Sequence, residues 1–127
     1  MTDHRKKVLV VDDEPDVTEL LRSVLEADDL EVFTAFDGLS ALKEMEEHDP
    51  DLVLLDVLMP TYDGFAVCRM IRANPEIRMV PVVLLTTARE DYVLKHMLEA
   101  GADDYILKSA DNQTIRAKVR KMLHLKG

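Results

Sequence analysis

The sequence has only one cysteine, Cys68, so the chain cannot form an internal disulfide and fits the reducing environment of the cytosol. It also lacks any apolar run close to the roughly 18 residues that are needed to cross a bilayer. The polar start MTDHRKK is followed by too few apolar residues to form a signal peptide. These absences predict a cytoplasmic protein with no membrane segment.

Positive charge is also scarce, since 16 lysines and arginines stand against 25 aspartates and glutamates, for a formal net charge of -9. Because nucleic-acid phosphates attract cations, this balance disfavours direct nucleic-acid binding by the chain. The composition is otherwise that of a folded domain, with 47% hydrophobic and 32% charged residues. A chain of 127 residues is long enough to bury a sizeable core, and we predict a single domain over residues 1–127.

Five short segments have the composition of β-strands. KVLVV, DLVLLD and VPVVLLT are continuously apolar, which is typical of strands covered on both faces in a parallel sheet. LEVFTA and the weaker DDYIL complete the set. The five predicted strands cover residues 7–11, 30–35, 51–56, 80–86 and 103–107.

A segment with helical periodicity follows each predicted strand. Apolar residues on one face of the first helix are expected at Val17, Leu20, Leu21, Val24 and Leu25, and on the second at Leu39, Leu42 and Met45. Gly101 is placed to end the fourth helix, and Asp111 or Asn112 to begin the fifth. Five β-α units with right-handed crossovers predict a doubly wound α/β fold with a five-stranded parallel sheet.

Polar residues stand at the ends of four of these strands. Asp12 and Asp13 follow the first strand, Asp56 closes the third, Thr86 ends the fourth, and Lys108 follows the fifth. Ligands of doubly wound sheets bind outside the carboxyl ends of the strands. The five side chains are therefore expected to converge at one edge of the sheet.

The acidic pair has two readings when it is taken alone. Asp12 and Asp13 could form a solvated turn that favours a helix N-terminus, or they could hold a cation. Asp56 follows the apolar run LVLL and should be buried, so its carboxylate needs a counter-charge. Three such carboxylates would push one toward protonation unless a cation lies among them, and Mg²⁺ suits oxygen ligands of this kind.

Phosphoryl chemistry connects these residues. An aspartate can act as a nucleophile that forms an aspartyl phosphate, with a metal, an amine and a hydroxyl stabilising the transferred group. Thr86 and Lys108, taken singly, read as an ordinary strand-end residue and a surface lysine. Their coincidence with the acids favours the phosphoryl interpretation.

The motifs VLVVDDEP, LVLLDVLMPTYDG, PVVLLTT and GADDYILK occur in this order, and with them the chain resembles the receiver domain of two-component response regulators. The resemblance covers essentially the whole chain and implies a CheY-like, flavodoxin-like three-layer sandwich. It implies a signalling switch, not an enzyme with an external substrate. The expected partners are a sensor histidine kinase or a histidine phosphotransfer protein.

The resemblance also implies roles for individual residues. Asp56 would accept the phosphoryl group; Asp12, Asp13, Asp56 and the main-chain carbonyl of Leu58 would surround Mg²⁺. Thr86 and Lys108 would contact the phosphoryl oxygens, and Tyr105 would move with Thr86 as a switch. The surface formed by the fourth helix, fifth strand and fifth helix would transmit the signal, with pairing of two copies as one outcome.

The residue after Lys108 departs from the family pattern, in which proline follows the lysine, commonly after a cis peptide bond. Ser109 stands there instead, and a cis bond before a non-proline residue costs about 2.5–4 kcal/mol. We therefore predict a trans bond between Lys108 and Ser109, with a shifted loop.

Three other classes compete with this interpretation. A haloacid-dehalogenase-like phosphatase needs a D-x-D pattern after its first strand, and VVDDE lacks it. A flavodoxin-like cofactor binder needs a loop rich in serine, threonine and glycine where Asp12, Asp13 and Glu14 stand. An EF-hand loop that starts at Asp12 would need glycine at Val17 and glutamate at Ser23, so that reading fails.

Overall fold

The structure is a computed structural model and describes residues 4–87 and 90–124. Strands and helices alternate along the chain, as the sequence predicts. The elements are β1 Lys7–Val11, α1 Pro15–Glu26, β2 Glu31–Ala35, α2 Gly38–His48, β3 Leu52–Asp56, α3 Gly64–Ala73, β4 Val82–Thr86, α4 Glu90–Ala100, β5 Asp104–Leu107 and α5 Asn112–Met122.

The five strands form one parallel sheet in the order β2-β1-β3-β4-β5. The continuously apolar strands are central, and all five residues of β3 and of β4 are buried. The strand order reverses between β1 and β3, which is where sheets of this kind form a crevice at their carboxyl ends. The predicted doubly wound α/β fold is confirmed.

Helices cover both faces of the sheet, and each face has its own apolar core. On one face the buried side chains of α1 and α5 pack against β1, β3 and β4. On the other face α2, α3 and α4 do the same. Cys68 lies in this second core with none of its surface exposed, as expected for a packing residue. The result is three layers with the strand ends accessible at the edge of the sheet.

Helix ends follow local sequence signals. Asp111 begins α5, because its carboxylate accepts a hydrogen bond of 2.7 Å from the main-chain N–H of Thr114. Gly101 follows α4 with a φ of 87°, a left-handed conformation that favours glycine. Among residues 4–87 and 90–124 there is no helix long and apolar enough to span a membrane.

Two predicted helix faces are partly wrong. Leu20 is 55% exposed and Leu39 is 62% exposed. In α1 the buried stripe is turned toward Thr18, whose hydroxyl donates a hydrogen bond of 2.9 Å to the carbonyl of Pro15. Since that hydroxyl is satisfied within the helix, a polar residue can face the sheet while Leu20 remains on the surface.

Candidate functional site

The strand ends bring the three predicted carboxylates together. One carboxylate oxygen from each of Asp12, Asp13 and Asp56 lies within 4.8 Å of the others. Asp12 is 0% exposed and Asp56 is 1% exposed, whereas Asp13 faces solvent. The acids are therefore not a solvated turn, because two of them are buried at the crevice between β1 and β3.

Lys108 bridges the two buried acids from the loop after β5. Its Nζ lies 2.7 Å from Oδ2 of Asp12 and 3.1 Å from Oδ1 of Asp56. Glu14 is a looser neighbour, with Oε1 at 4.0 Å from the same nitrogen. One ammonium group thus faces two buried carboxylates, and the cluster keeps an excess of negative charge.

The two carboxylate oxygens of Asp56 have different hydrogen-bond partners. Its Oδ1 accepts a hydrogen bond of 3.2 Å from the main-chain N–H of Leu58, in addition to facing Lys108. Among the described residues, no donor forms a hydrogen bond to Oδ2 of Asp56 or, beyond the ion-pair contact of Lys108, to Oδ2 of Asp12. Buried carboxylate oxygens without donors are rare, which indicates a site for a cation or another ligand.

The charges at the site perturb two pKa values in ways that follow from this geometry. Burial, helped by the charge of Asp12, raises the pKa of Asp56 to about 6, against the opposing effect of Lys108. Burial would lower the pKa of Lys108, but its contacts with Asp12 and Asp56 outweigh that effect and raise it. At neutral pH the lysine is therefore charged. Asp56 is ionised there as well, although its burial disfavours the charged form.

The loop after β3 approaches Asp56 closely. Gly64 begins α3, and its main-chain N–H donates a hydrogen bond of 2.8 Å to the carbonyl of Val57. A Cβ at Gly64 would overlap the main-chain oxygen of Asp56 and lie 2.8 Å from Cα of Val57. Within the same loop, Thr61 has a left-handed φ of 68° beside Pro60. Glycine is thus required at residue 64 by close approach of two backbones.

Replacing Gly64 by alanine is expected to lower the free energy of unfolding by about 1–3 kcal/mol, since the methyl group must displace backbone and not a flexible side chain. Urea unfolding followed by circular dichroism measures this loss. Gly38→Ala is the comparison variant, because its Cβ would meet a side-chain methyl of buried Val67 at 2.7 Å and not main-chain atoms, so a smaller loss is expected there. A Gly64→Ala protein as stable as wild type would show that the close approach is not required.

Thr86 and Tyr105 lie on the adjacent strands β4 and β5. Thr86 ends β4 and is 0% exposed, and Tyr105 is half-buried in β5 opposite Leu84. The main-chain carbonyl of Thr86 accepts a hydrogen bond of 2.9 Å from the N–H of Lys108. The backbone that carries the hydroxyl is therefore tied directly to the backbone that carries the ammonium group.

Lys108 and Ser109 occupy the centre of a tight turn. The N–H of Ala110 donates a hydrogen bond of 2.9 Å to the carbonyl of Leu107, which closes the turn around them. No cis peptide bond occurs within the described ranges, so the predicted trans bond between Lys108 and Ser109 is confirmed. The loop still delivers Lys108 to both buried acids.

A second group of possible metal ligands lies on α2 and consists of Glu44, Glu47 and His48. Nε2 of His48 is 3.2 Å from Oε2 of Glu44 and 3.9 Å from Oε2 of Glu47. The imidazole stacks on the ring of Phe33 with centroids 4.0 Å apart. All three ligand groups are at least partly exposed, and the arrangement is that of an ion pair on a helix surface.

Comparison with known proteins identifies the class of this site. The family model of the response regulator receiver domain matches residues 8–120. This match covers most of the 127 residues, so the chain belongs to the response regulator receiver domain family. The five-stranded parallel sheet with five helices is the CheY-like, flavodoxin-like fold.

Three relatives illustrate the similarity. The chain is 42% identical over 118 residues to the alkaline phosphatase synthesis transcriptional regulatory protein PhoP of Bacillus subtilis, which covers 93% of this chain but 48% of PhoP. The BeF3-activated receiver domain of Klebsiella pneumoniae RstA is 36% identical with a TM-score of 0.85, covering 93% of this chain and 98% of that one. The receiver domain of the Pseudomonas aeruginosa sensor histidine kinase PA1611, with a magnesium ion coordinated in its active site cleft, is 26% identical with a TM-score of 0.86, covering 94% and 98%.

The chain therefore spans about half the length of PhoP. The similarity establishes a receiver domain of two-component signalling, a family of signalling switches.

Proposed function

We propose that the domain accepts a phosphoryl group on Asp56 from a phosphohistidine of a sensor histidine kinase or a histidine phosphotransfer protein. The observation that carries this proposal is Oδ2 of Asp56, which is buried and accepts no hydrogen bond from the described residues. In the reaction a carboxylate oxygen of Asp56 forms a bond to phosphorus while the bond from phosphorus to the imidazole nitrogen breaks. The histidine leaves with its electron pair, and the product is an aspartyl phosphate.

The acidic cluster fits the Mg²⁺ that receiver domains bind. Asp12, Asp13, Asp56 and the main-chain carbonyl of Leu58 are the oxygen ligands that we assign to it, with water completing the set. When bound, Mg²⁺ neutralises charge on the transferring phosphoryl group. Lys108 would supply a second positive charge beside Asp56, and it needs no large movement to reach a phosphoryl oxygen because it already contacts Oδ1.

Thr86 and Tyr105 are the residues that we propose to respond to the phosphoryl group. Thr86 is buried beside the site, and its hydroxyl can donate to a phosphoryl oxygen after a small shift. Tyr105 lies on the neighbouring strand, partly buried against the core of α2, α3 and α4. A move of Thr86 toward Asp56 would vacate space into which the ring of Tyr105 can turn.

The output surface that we propose is formed by α4, β5 and α5. Its exposed apolar side chains include Leu94 at 43%, Leu98 at 77% and Leu107 at 41%. Such side chains can be covered by a second copy of the domain, which supports homodimer formation as one outcome of phosphorylation. The donor, the cytoplasmic location and the extent of the domain over residues 1–127 stay predictions.

The decisive test is incubation of the protein with acetyl phosphate, with and without Mg²⁺, followed by intact-mass measurement and peptide mapping. We expect the mass increase of one phosphoryl group, located on the peptide that contains Asp56, and dependent on Mg²⁺. A parallel incubation with a phosphomonoester should show no sustained turnover. Labelling at another residue, or multiple turnover of the phosphomonoester, would contradict a self-phosphorylating switch.

Magnesium is expected to raise the melting temperature strongly at about pH 7.5 and weakly at about pH 5. The pKa of Asp56 is raised from 3.8 to about 6, so protonation stabilises the metal-free fold: that contribution is complete below the unfolded value and is lost as pH rises through about 6. Above about pH 6 Asp56 is ionised and can bind Mg²⁺. Binding should then raise the free energy of unfolding by about 2.7 kcal/mol when Mg²⁺ is at a hundredfold excess over its dissociation constant.

Differential scanning fluorimetry at the two pH values measures this effect. Asp13→Asn is the control, since Asp13 is exposed and its loss should reduce the magnesium effect while leaving the metal-free melting temperature nearly unchanged. Equal magnesium stabilisation at both pH values would contradict the assignment of Asp56 as a ligand.

A further inference from the structure

Arg72, in the last turn of α3, uses all three guanidinium nitrogens to hold neighbouring segments. Nε donates a hydrogen bond of 2.7 Å to the carbonyl of Gly101, directly after α4. Nη1 donates to the carbonyls of Arg78 at 2.7 Å and Val80 at 2.6 Å, in the segment before β4. Nη2 donates to Oδ2 of Asp103 at 2.9 Å, before β5. One side chain thus joins α3 to two other segments, residues 78–80 before β4 and the loop of residues 101–103 between α4 and β5.

The partners of Arg72 are also joined to each other. Oδ2 of Asp103 accepts a second hydrogen bond of 2.8 Å from the N–H of Val82, and the N–H of Asp103 donates at 2.8 Å to the carbonyl of the same residue. Gly101 is left-handed, and a Cβ there would lie 3.0 Å from Cγ of Arg72. We call the set of Arg72, Gly101 and Asp103 the Arg72 clamp.

The N-terminal half of α4 is held in part by side-chain packing, since Val93 is fully buried in the core of α2, α3 and α4 and aromatic rings of α4 contact Phe65 of α3. Tyr92 contacts Phe65 of α3 edge-on with ring centroids 6.1 Å apart, and His96 lies 5.4 Å from the same ring. Tyr92 is itself 49% exposed. Apolar packing is less directional than the short hydrogen bonds of the Arg72 clamp, so it fixes the position of the helix less strictly.

We propose that the Arg72 clamp is a positioning device that fixes the C-terminal end of α4 to α3 and β4, so that a change at the phosphorylation site is expressed at the N-terminal end of α4. This proposal rests on the phosphoacceptor function of Asp56. A displacement of Thr86 reaches α4 at its N-terminal end, because α4 follows β4 in the chain. The opposite end cannot follow without breaking the hydrogen bonds of the clamp.

Hydrogen–deuterium exchange tests the proposal in wild type, Arg72→Met and Arg69→Met, each with and without beryllofluoride and Mg²⁺. Without beryllofluoride, residues 97–103 should exchange at least tenfold faster in Arg72→Met than in wild type. With it, changes in the wild type should be confined to residues 90–96, whereas in Arg72→Met they should extend into 97–103. Arg69→Met removes the same charge from an exposed position on α3 and should behave as wild type.

Asp103→Asn provides a milder variant that is expected to fold. It keeps an oxygen that can accept from the N–H of Val82 but removes the charge that faces Arg72, so a severalfold increase in exchange of 97–103 is expected.

Two results would overturn the clamp: equal exchange of 97–103 in Arg72→Met and Arg69→Met, or a wild-type response that covers 97–103 as fully as 90–96. Absence of any beryllofluoride response in wild type would overturn the function proposed for Asp56 instead. The two failures are distinguishable, because the clamp itself is measured in the ligand-free proteins.

Discussion

Asp56→Asn is expected to abolish phosphoryl uptake and, at the same time, to make the metal-free protein more stable at neutral pH. The two effects have one origin, because the carboxylate that we propose as the nucleophile is also the charge that the fold accommodates least well. An amide cannot attack phosphorus at a useful rate, so the mass increase with acetyl phosphate should disappear. The same amide carries no charge into the buried crevice.

The size of the gain in stability follows from the pKa of Asp56. A shift from 3.8 to about 6 means that the ionised form is less stable in the fold than in the unfolded chain. Each unit corresponds to about 1.4 kcal/mol, so Asp56→Asn should raise the free energy of unfolding by about 3 kcal/mol at pH 7.5 without metal. The gain should shrink toward about pH 4, where Asp56 becomes protonated in the wild type as well.

Urea unfolding in the presence of a chelator, at pH 7.5 and near pH 4, measures this gain. Glu19→Gln is the control, because it removes one negative charge from an exposed position on α1 and should change stability little. If Asp56→Asn were less stable than wild type at neutral pH, the raised pKa and the electrostatic account of the site would both be wrong.

The sequence predicted the site because strand ends and burial are coupled in a parallel sheet. Asp56 ends an apolar run that can be covered on both faces only in the middle of such a sheet, and this places its carboxylate at the crevice. Asp12 and Thr86 end neighbouring buried strands, so their positions follow from the same rule. For these three residues, residue type and strand order together were sufficient to predict that they lie at the same edge of the sheet.

Other features depend on three-dimensional packing that periodicity does not encode. Leu20 and Leu39 satisfy the helical spacing, but the rotation of each helix against the sheet leaves them exposed. The partners of Arg72 are mostly main-chain carbonyls, and any residue can supply a carbonyl. A sequence signal exists only for Gly101, whose place after α4 marks a left-handed residue but not the arginine packed over it.

Lys108→Met is expected to have the second large effect, a loss of about 3–5 kcal/mol in the free energy of unfolding at pH 7.5. Methionine matches the length of the lysine stem, so the change mainly removes the ammonium group that lies 2.7 Å from Asp12 and 3.1 Å from Asp56. Two buried carboxylates are then left facing each other without a counter-charge. Phosphorylation by acetyl phosphate should slow by roughly a hundredfold, since one charge that stabilises the transferring group is lost.

The pH dependence and a double variant identify the cause of this loss. At about pH 5 the wild-type Asp56 is already largely protonated, so Lys108→Met should be less damaging there than at pH 7.5. Combining Lys108→Met with Asp56→Asn should restore much of the stability. The effect of the double variant should then differ clearly from the sum of the two single effects. Lys121→Met, at an exposed position on α5, controls for loss of a positive charge.

If Lys108→Met were as stable as Lys121→Met at neutral pH, the lysine would not be balancing the buried acids. Lys108 follows β5, whereas Asp12 follows β1 and Asp56 ends β3. Its ammonium group therefore forms ion pairs with acids from two different strands. A phosphoryl group on Asp56 would bring further negative charge to the same ammonium. The ammonium group of Lys108, which stabilises the unphosphorylated fold, would therefore also stabilise the phosphorylated state.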